Sequence, residues 1–241
     1  RLKNVMNSDE VFKHDWSPLR FDFRDGIRRV KQALEHTAAQ EPKVKDGGKK
    51  RGKAIVCNVK GYASGERYTS ESSTTLRLGV DGSLQIVTSA VDMGQGVHTA
   101  LARIASEQLG MPLERITVSN PDTEITPYER TTSGSHTTMS VGRAVERAAK
   151  DLCDTLAAAF SQMYEVDEAA VQFADGYVRA NGQSMTLSEL IMRLPDKLPG
   201  GGELIAHAKD PGAEWGSAVE VGVVGVEVEV DEETGRVRVL K

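Results

Sequence analysis

The chain has 241 residues, of which 39% are hydrophobic and 27% charged, with a formal net charge of −5. That is the composition of a globular, soluble protein with room for one large domain or two small ones, and the acidic balance argues against a nucleic-acid surface. Two cysteines, Cys57 and Cys153, fall in no metal-type spacing; they read as reduced intracellular thiols and not as a disulfide framework. No signal peptide and no apolar run of bilayer length is evident, so a cytoplasmic protein is expected. The chain opens at Arg1 without a methionine and stops within "GRVRVLK". It is therefore expected to be a piece of a longer polypeptide, truncated at its C-terminal side.

In chain order, Ile27, Val30, Leu34 and Ala38 recur at helical spacing over 22–39. A polar, lysine-rich stretch, 40–50, reads as an exposed linker, and "RGKAIVCNVKGYA" (51–63) as a strand. Leu76, Leu78 and Val80 alternate on one arm of a hairpin over 74–88, and Leu84 and Ile86 on the other. Asp81-Gly82 between them is expected to supply positive φ values. A helix follows with the stripe Val97, Ala100, Leu101, Ile104, Ala105 and Leu109, stopped by Gly110 and Pro112. A short strand (114–120), a polar loop (121–138) and a long helix bearing Val141, Val145, Ala148, Leu152 and Leu156 come next. "DGYVRANGQ" reads as a hairpin, "TLSELIMRL" as a helix capped by Thr186 and "PGGGEL" as a flexible loop. "VEVGVVGVEVEVDEETGRVRVL" (219–240) alternates like a second strong hairpin. Strands and helices come in blocks, so the fold class is α+β, with antiparallel and mixed strands and two main packed helices.

Two polar junctions stand out. Gly94-Gln95-Gly96 opens the first of those helices, and Thr131-Thr132-Ser133-Gly134-Ser135-His136-Thr137-Thr138 the second. The first amides of a helix lack internal partners and its dipole makes that end positive, so acceptor-rich ligands settle there. Each junction alone is equally an ordinary turn with Ser/Thr capping. Other chemistries have less support. The five histidines form no i,i+4 pair, and neither a nucleophile elbow nor a phosphate-binding loop is present. Asp and Glu read as surface. His136 is the better pocket candidate among the histidines, because it lies inside the hydroxyl-rich loop.

The stretch "VDMGQGVHTALARIASEQLGMPLERITVSNPDT" followed by "TTSGSHTTMSVGRAV" resembles the molybdenum hydroxylases, the xanthine dehydrogenase and aldehyde oxidase family. More narrowly, it resembles their molybdopterin-binding large subunit. "RLKN", "RGKAIVCNVKGYA" and "VGVEVEVDEETGRVRVLK" are similar to segments flanking that region. The resemblance implies that residues 1–50 are a lead-in helix and linker. Residues 51–241 would then be part of a larger molybdopterin-binding domain, with cofactor loops 92–96 and 131–138. It implies that Met93, Gly94, Gln95 and Gly96 touch the pterin and the oxygen side of the metal, Gln95 being the residue tied to catalysis. Thr132, Ser133, Gly134, Ser135, Thr137 and Thr138 would wrap the pterin's pyran and phosphate end. No side chain would ligate molybdenum directly; the Gly134 backbone would pass near it.

The implied chemistry is oxidation of an aldehyde or N-heterocycle with water as oxygen source. Electrons would leave through iron–sulfur clusters to FAD on other domains or subunits. The cofactor is molybdopterin, in mono- or dinucleotide form. The implied partners are the remainder of the large subunit, the iron–sulfur and flavin components and a small-molecule substrate, with no nucleic acid and no membrane. The family's general-base glutamate lies in a motif expected beyond Lys241, and the context of Glu203 in "GGGEL" does not match it. The isolated chain is thus expected to be inactive. The alternative is a non-catalytic assembly or interaction module that retains the fold.

Overall fold

The computed structural model describes residues 2–11, 18–38, 48–61, 71–129, 131–194, 203–212 and 219–241. Residues 40–47 of the expected linker, the last two residues of the 51–63 run and most of "PGGGEL" lie outside them. The chain divides into two compact units, Arg1–Arg67 with Trp215–Lys241, and Tyr68–Glu214.

In the first unit, α1 (Phe23–Ala38) packs on a sheet of β1 (Lys49–Gly61), β9 (Val219–Asp231) and β10 (Val237–Val239), in the order β1–β9–β10. β1 and β9 pair antiparallel over their whole lengths, from Lys49 opposite Asp231 to Gly61 opposite Val219. This register sets Arg51 opposite Glu229 and Lys53 opposite Glu227, and both pairs close as ion pairs, at 3.1 and 3.3 Å. Opposite charges in facing cross-strand positions favour one register over a slipped one. Gly225 lets α1 approach: a Cβ there would sit 2.4 Å from Val30 and 2.9 Å from Leu34. The alternation of β9 is present with an unexpected polarity. Glu227 and Glu229 are the buried positions, whereas Val224 is 62% exposed.

The second unit carries the larger core. Its main sheet has the order β4–β3–β2–β8, built from β2 (Ser72–Gly79), β3 (Leu84–Val87), β4 (Ile116–Val118) and β8 (Glu203–Asp210). β2 pairs antiparallel with β3 and β8, while β3 and β4 run parallel. The parallel pair is joined through α2 (Val97–Leu109), because parallel neighbours need a crossover. The long helix α3 (Thr137–Tyr164) contacts α2, β2 and β8. Of the apolar stripes read from the sequence, Val97, Leu101, Ala105 and Leu109 on α2 are buried, with Ala100 and Ile104 half-buried, and Val141, Val145, Ala148, Leu152 and Leu156 on α3 are all buried. They meet Leu76, Leu78, Leu84 and Ile86 of the sheet. β5 (Gln172–Ala174), β6 (Tyr177–Ala180) and β7 (Gln183–Thr186) form a small meander. Its two turns, Asp175-Gly176 and Asn181-Gly182, place all four residues at positive φ, as two-residue hairpins require. Thr186 then caps α4 (Leu187–Met192) in a reciprocal box with Glu189.

Two details depart from expectation. The β2–β3 turn has three residues, closed by the Gly79 amide on the Ser83 carbonyl, and of Asp81 and Gly82 only Gly82 has positive φ. Val80 therefore lies in the turn, 39% exposed, and not on the strand. The strand β8 was not anticipated; its alternation of buried Leu204, Ala206 and Ala208 with exposed neighbours is short and mostly alanine.

Gly110 terminates α2 at φ 57°, and a Cβ there would lie 2.3 Å from the Phe173 carbonyl oxygen of β5. Left-handed strain and overpacking add at this position. Gly110→Ala is expected to lower the unfolding free energy by about 2–4 kcal/mol in urea titration.

Candidate functional site

Both polar junctions grow from the same edge of the second unit's sheet. β3 and β4 are parallel neighbours, so their C-terminal ends lie side by side. The chain leaving β3 forms residues 88–96 and enters α2; the chain leaving β4 forms residues 119–136 and enters α3. Loops at the carboxyl ends of parallel strands face a common crevice.

Hydrogen bonds stitch the two loops together. The Val91 amide donates to Thr132 Oγ1 at 3.0 Å. Ser89 Oγ donates to Thr126 Oγ1 at 2.9 Å and to the Pro127 carbonyl. Ser73 Oγ on β2 donates to the Tyr128 carbonyl at 2.7 Å, and Glu129 makes an isolated antiparallel bridge with Ser72. The Gln95 turn and the hydroxyl-rich loop are thus tied directly, through Val91 and Thr132.

The two helix ends differ in kind. At α2, Asp92 folds back over the turn. Its Oδ1 accepts from the Gly94 and Gly96 amides at 2.9 and 3.2 Å, and its Oδ2 from the His98 amide at 3.4 Å. The Gly94 amide above all, then those of Gly96 and His98, hold the Asp92 carboxyl below the usual range. The amides of Gly94 and Gly96, expected to be open to a ligand, are therefore already engaged. Gln95 is also turned inward: its Oε1 accepts from the Met93 amide at 2.5 Å and its Nε2 donates to the Val91 carbonyl at 2.8 Å. A primary amide has two donor hydrogens and an acceptor with two lone pairs, so each end of Gln95 keeps one site for a ligand. Met93, Gly94, Gln95 and Gly96 are all exposed, and nothing lies within 4 Å of where a Cβ would stand on either glycine. Their backbone face is open to a large, flat guest.

At α3 the end is open. Gly134 and Ser135 have φ of 61° and 56°, which turns the chain into the helix at His136. The His136 carbonyl takes the Met139 and Ser140 amides, both at 2.9 Å. The amides of Thr137 and Thr138 have no acceptor among the described residues, as expected for a first helical turn. Ser133, Ser135 and Thr138 are exposed, and Thr132 and Gly134 half-buried. Thr137 itself is buried at the helix start. His136 is buried at the N-cap, and His98 is half-buried with Nε2 2.9 Å from the Ala90 carbonyl, bracing the Gln95 turn.

Two acidic residues absent from the sequence-level site belong here. Asp92 carried a readable signal, since Asp accepts from the backbone two residues on in turns. Glu129 carried none, because its bridge to Ser72 spans the whole of β2, β3, α2 and β4. The reading of acidic residues as surface fails for Glu129, half-buried, and for Asp210, 1% exposed. Ser72 stands opposite both, so the three side chains form a row on one face. Asp210 is paired with Arg147 of α3 at 3.4 Å. Burial raises the Glu129 carboxyl above its ordinary value, against a smaller lowering effect of the nearby Thr131 amide. Among the described residues no group of three or more His, Cys, Asp or Glu could hold a metal, and no helix is long and apolar enough to cross a membrane.

The second unit thus presents two stitched loop-to-helix junctions at one end of its sheet, one closed by its own carboxylate and one open. Comparison with known proteins identifies the family: the Molybdopterin cofactor-binding domain family matches residues 29–241. The chain belongs to that family, within the molybdenum hydroxylases. It is 30% identical over 124 residues to aldehyde oxidase 1 of Macaca fascicularis, covering 52% of this chain and 9% of that protein. It is 28% identical over 192 residues to the nicotine 6-hydroxylase large subunit of Paenarthrobacter nicotinovorans, covering 74% and 23%. The crystal structure of quinoline 2-oxidoreductase from Pseudomonas putida 86 superposes with a TM-score of 0.67 at 22% identity, over 92% of this chain and 30% of that one. The chain thus spans less than a quarter of the length of these curated relatives.

The raised Glu129 carboxyl has a defined thermal consequence. A folded-state pKa above the unfolded one costs stability as pH rises from the unfolded value through the folded one. Glu129→Gln removes that penalty. Its melting temperature should match the parent's at about pH 3.5 and exceed it at about pH 8 in thermal scans.

Proposed function

We propose that residues 91–96 and 131–138 form one wall of the molybdenum cofactor site in an oxidoreductase that hydroxylates an aldehyde or N-heterocycle with oxygen from water. The observation that carries this reading is the Val91–Thr132 hydrogen bond, which holds the exposed Gln95 turn against the open end of α3. The residues fit the group. The free amides at Thr137 and Thr138, with the Gly134 backbone and the Ser133 and Ser135 hydroxyls, suit an anionic, acceptor-rich pterin phosphate. The Asp92 carboxylate at the α2 end repels such an anion. That end therefore receives the neutral and metal-proximal part of the cofactor, through Gln95, Met93 and the backbone of Gly94 and Gly96.

When bound, the cofactor supplies a metal that accepts two electrons from the substrate and delivers an oxygen drawn from water. This chain's residues position it. The spare Nε2 hydrogen of Gln95 would be available to an oxygen acceptor of the bound group, and the two internal bonds of Gln95 hold its amide plane so that little would be reorganised on binding. Thr132 fixes the spacing between the two loops. Proton removal falls to a carboxylate on another part of the subunit. Electrons leave through iron–sulfur and flavin groups carried by other domains or subunits, and the isolated chain is inactive. We place the assembled enzyme in the cytoplasm.

Gln95→Ala in the complete enzyme should lower turnover at least tenfold, by the scale of a lost preorganised hydrogen bond, while the melting temperature of the domain shifts little. Parallel assays of turnover, molybdenum and pterin content and thermal unfolding check this. Equal loss of folding and activity would count against the assignment. Persistent absence of molybdenum and pterin from the complete subunit after cofactor supply would favour a non-catalytic module.

A further inference from the structure

We propose that Asp92 is the positioning residue of Gln95: its carboxylate gathers the amides of Gly94 and Gly96, on either side of Gln95, and thereby fixes how that side chain is presented. The geometry is local to the turn; its consequence for turnover rests on the cofactor reading given above.

Gln95 stands between the two residues able to restrain it least. Gly94 and Gly96 have φ of 100° and 77°, and nothing lies within 4 Å of where a Cβ would stand on either. Glycine has the most backbone freedom to lose on ordering, so a Gly-Gln-Gly turn without further ties would aim its glutamine in many directions. Asp92 supplies the ties. Its Oδ1 accepts from the Gly94 amide at 2.9 Å and from the Gly96 amide at 3.2 Å. The peptide before Gly94 and the peptide after Gln95 are thus aimed at a single oxygen. Oδ2 refers the same carboxylate to the first turn of α2, through the His98 amide at 3.4 Å. The His98 ring grips the other end of the turn, with Nε2 2.9 Å from the carbonyl of buried Ala90. The turn is therefore fixed to the helix at Ala90 and at Asp92, and not only to itself.

The dependence runs one way. Gln95 Oε1 takes the Met93 amide and Nε2 donates to the Val91 carbonyl, groups that flank Asp92 in the chain. Gln95 reaches both only when the backbone is already folded back over residues 91–93. The bonds made by Asp92 fold it back and involve no atom of the Gln95 side chain. Hydrogen bonds to an ionised acceptor are also stronger than those between neutral groups, so the carboxylate is the stronger partner in holding the turn.

The test compares Asp92→Ala and Asp92→Asn with the parent in the complete enzyme. In the cofactor-free form, Asp92→Ala should raise hydrogen exchange over residues 94–98 about tenfold or more, with the amides of the α2–α3 core unchanged. Asp92→Asn keeps an oxygen of the same reach for both glycine amides and loses only the bond to His98 and the charge, so its exchange should lie between the two. In the loaded form, Asp92→Ala should lower kcat per bound molybdenum about tenfold or more at unchanged KM, and Asp92→Asn should restore most of it. Exchange unchanged in Asp92→Ala overturns the proposal, and so does equal loss in both variants. Gln95→Ala measured alongside separates the two readings. If Gln95→Ala lowers kcat and Asp92→Ala does not, the positioning role falls while the cofactor reading stands. If neither lowers kcat, the cofactor reading of the turn falls, and exchange alone decides whether Asp92 fixes it.

Discussion

The site depends on the parallel pairing of β3 with β4. It makes two chain segments leave the sheet at one edge, and it forces the intervening chain to return through α2. Once α2 and α3 are packed over the same sheet by their apolar stripes, their N-termini have no freedom to diverge. Side-chain bonds then convert proximity into fixed spacing: Val91 to Thr132, Ser89 to Thr126 and Pro127, and Ser73 to Tyr128. None of these contacts is large alone, at about 0.5–1.5 kcal/mol for a typical intramolecular hydrogen bond. Their effect is geometric, because each one removes a way for the two loops to slide past one another.

The first unit shows a different use of alternation. On β9 Glu227 and Glu229 face the same side as Gly225, the one covered by α1, while Val224 on the other face is exposed, opposite to a half-buried strand in a simple two-layer domain. The buried side is viable because β1 brings Arg51 opposite Glu229 and Lys53 opposite Glu227, with Lys49 reaching Glu229 diagonally at 3.4 Å. Lys53 also donates to the Leu34 carbonyl in α1 at 2.8 Å, so one cation serves both the strand pair and the helix. Periodicity located the strand and its turn. It could not assign the faces, because that depends on a partner strand lying far away in sequence.

The same boundary separates what could be read from the sequence elsewhere. α1, α2, α3 and α4, the 74–88 and 219–240 hairpins and the Thr186 cap each follow from residues within a few positions of one another. Local periodicity and capping chemistry suffice for those elements. β8 was missed because its buried positions are mostly alanine and its identity comes from pairing with β2. The loops themselves were legible as helix openings, and the resemblance to the molybdenum hydroxylases is what proposes molybdopterin as their guest. The engagement of the Gly94 and Gly96 amides was open to local reasoning, since Asp92 lies within two and four residues of them. Glu129 was not, because its environment is made by Ser72, Thr131 and the sheet edge, and burial follows from tertiary packing.

These carboxylates give the site its polarity. Two helix N-termini side by side are two positive ends, and an unmodified pair would offer equivalent anion sites. Asp92 neutralises one of them from within, spending three amides of that end on an internal charge. The other keeps its first amides and adds the hydroxyls of Ser133 and Ser135. Under the proposed function, a ligand with one anionic end and one neutral end would meet a surface that favours a single orientation. The glycines flanking Gln95 serve that arrangement in two ways. Their positive φ values let the chain fold back so that Asp92 reaches the amides, and their missing side chains leave the outer face of the turn clear. A ligand approaching Gln95 then meets its amide group first and the bare backbone behind it, with the opposite charge preference waiting across the Val91–Thr132 bond.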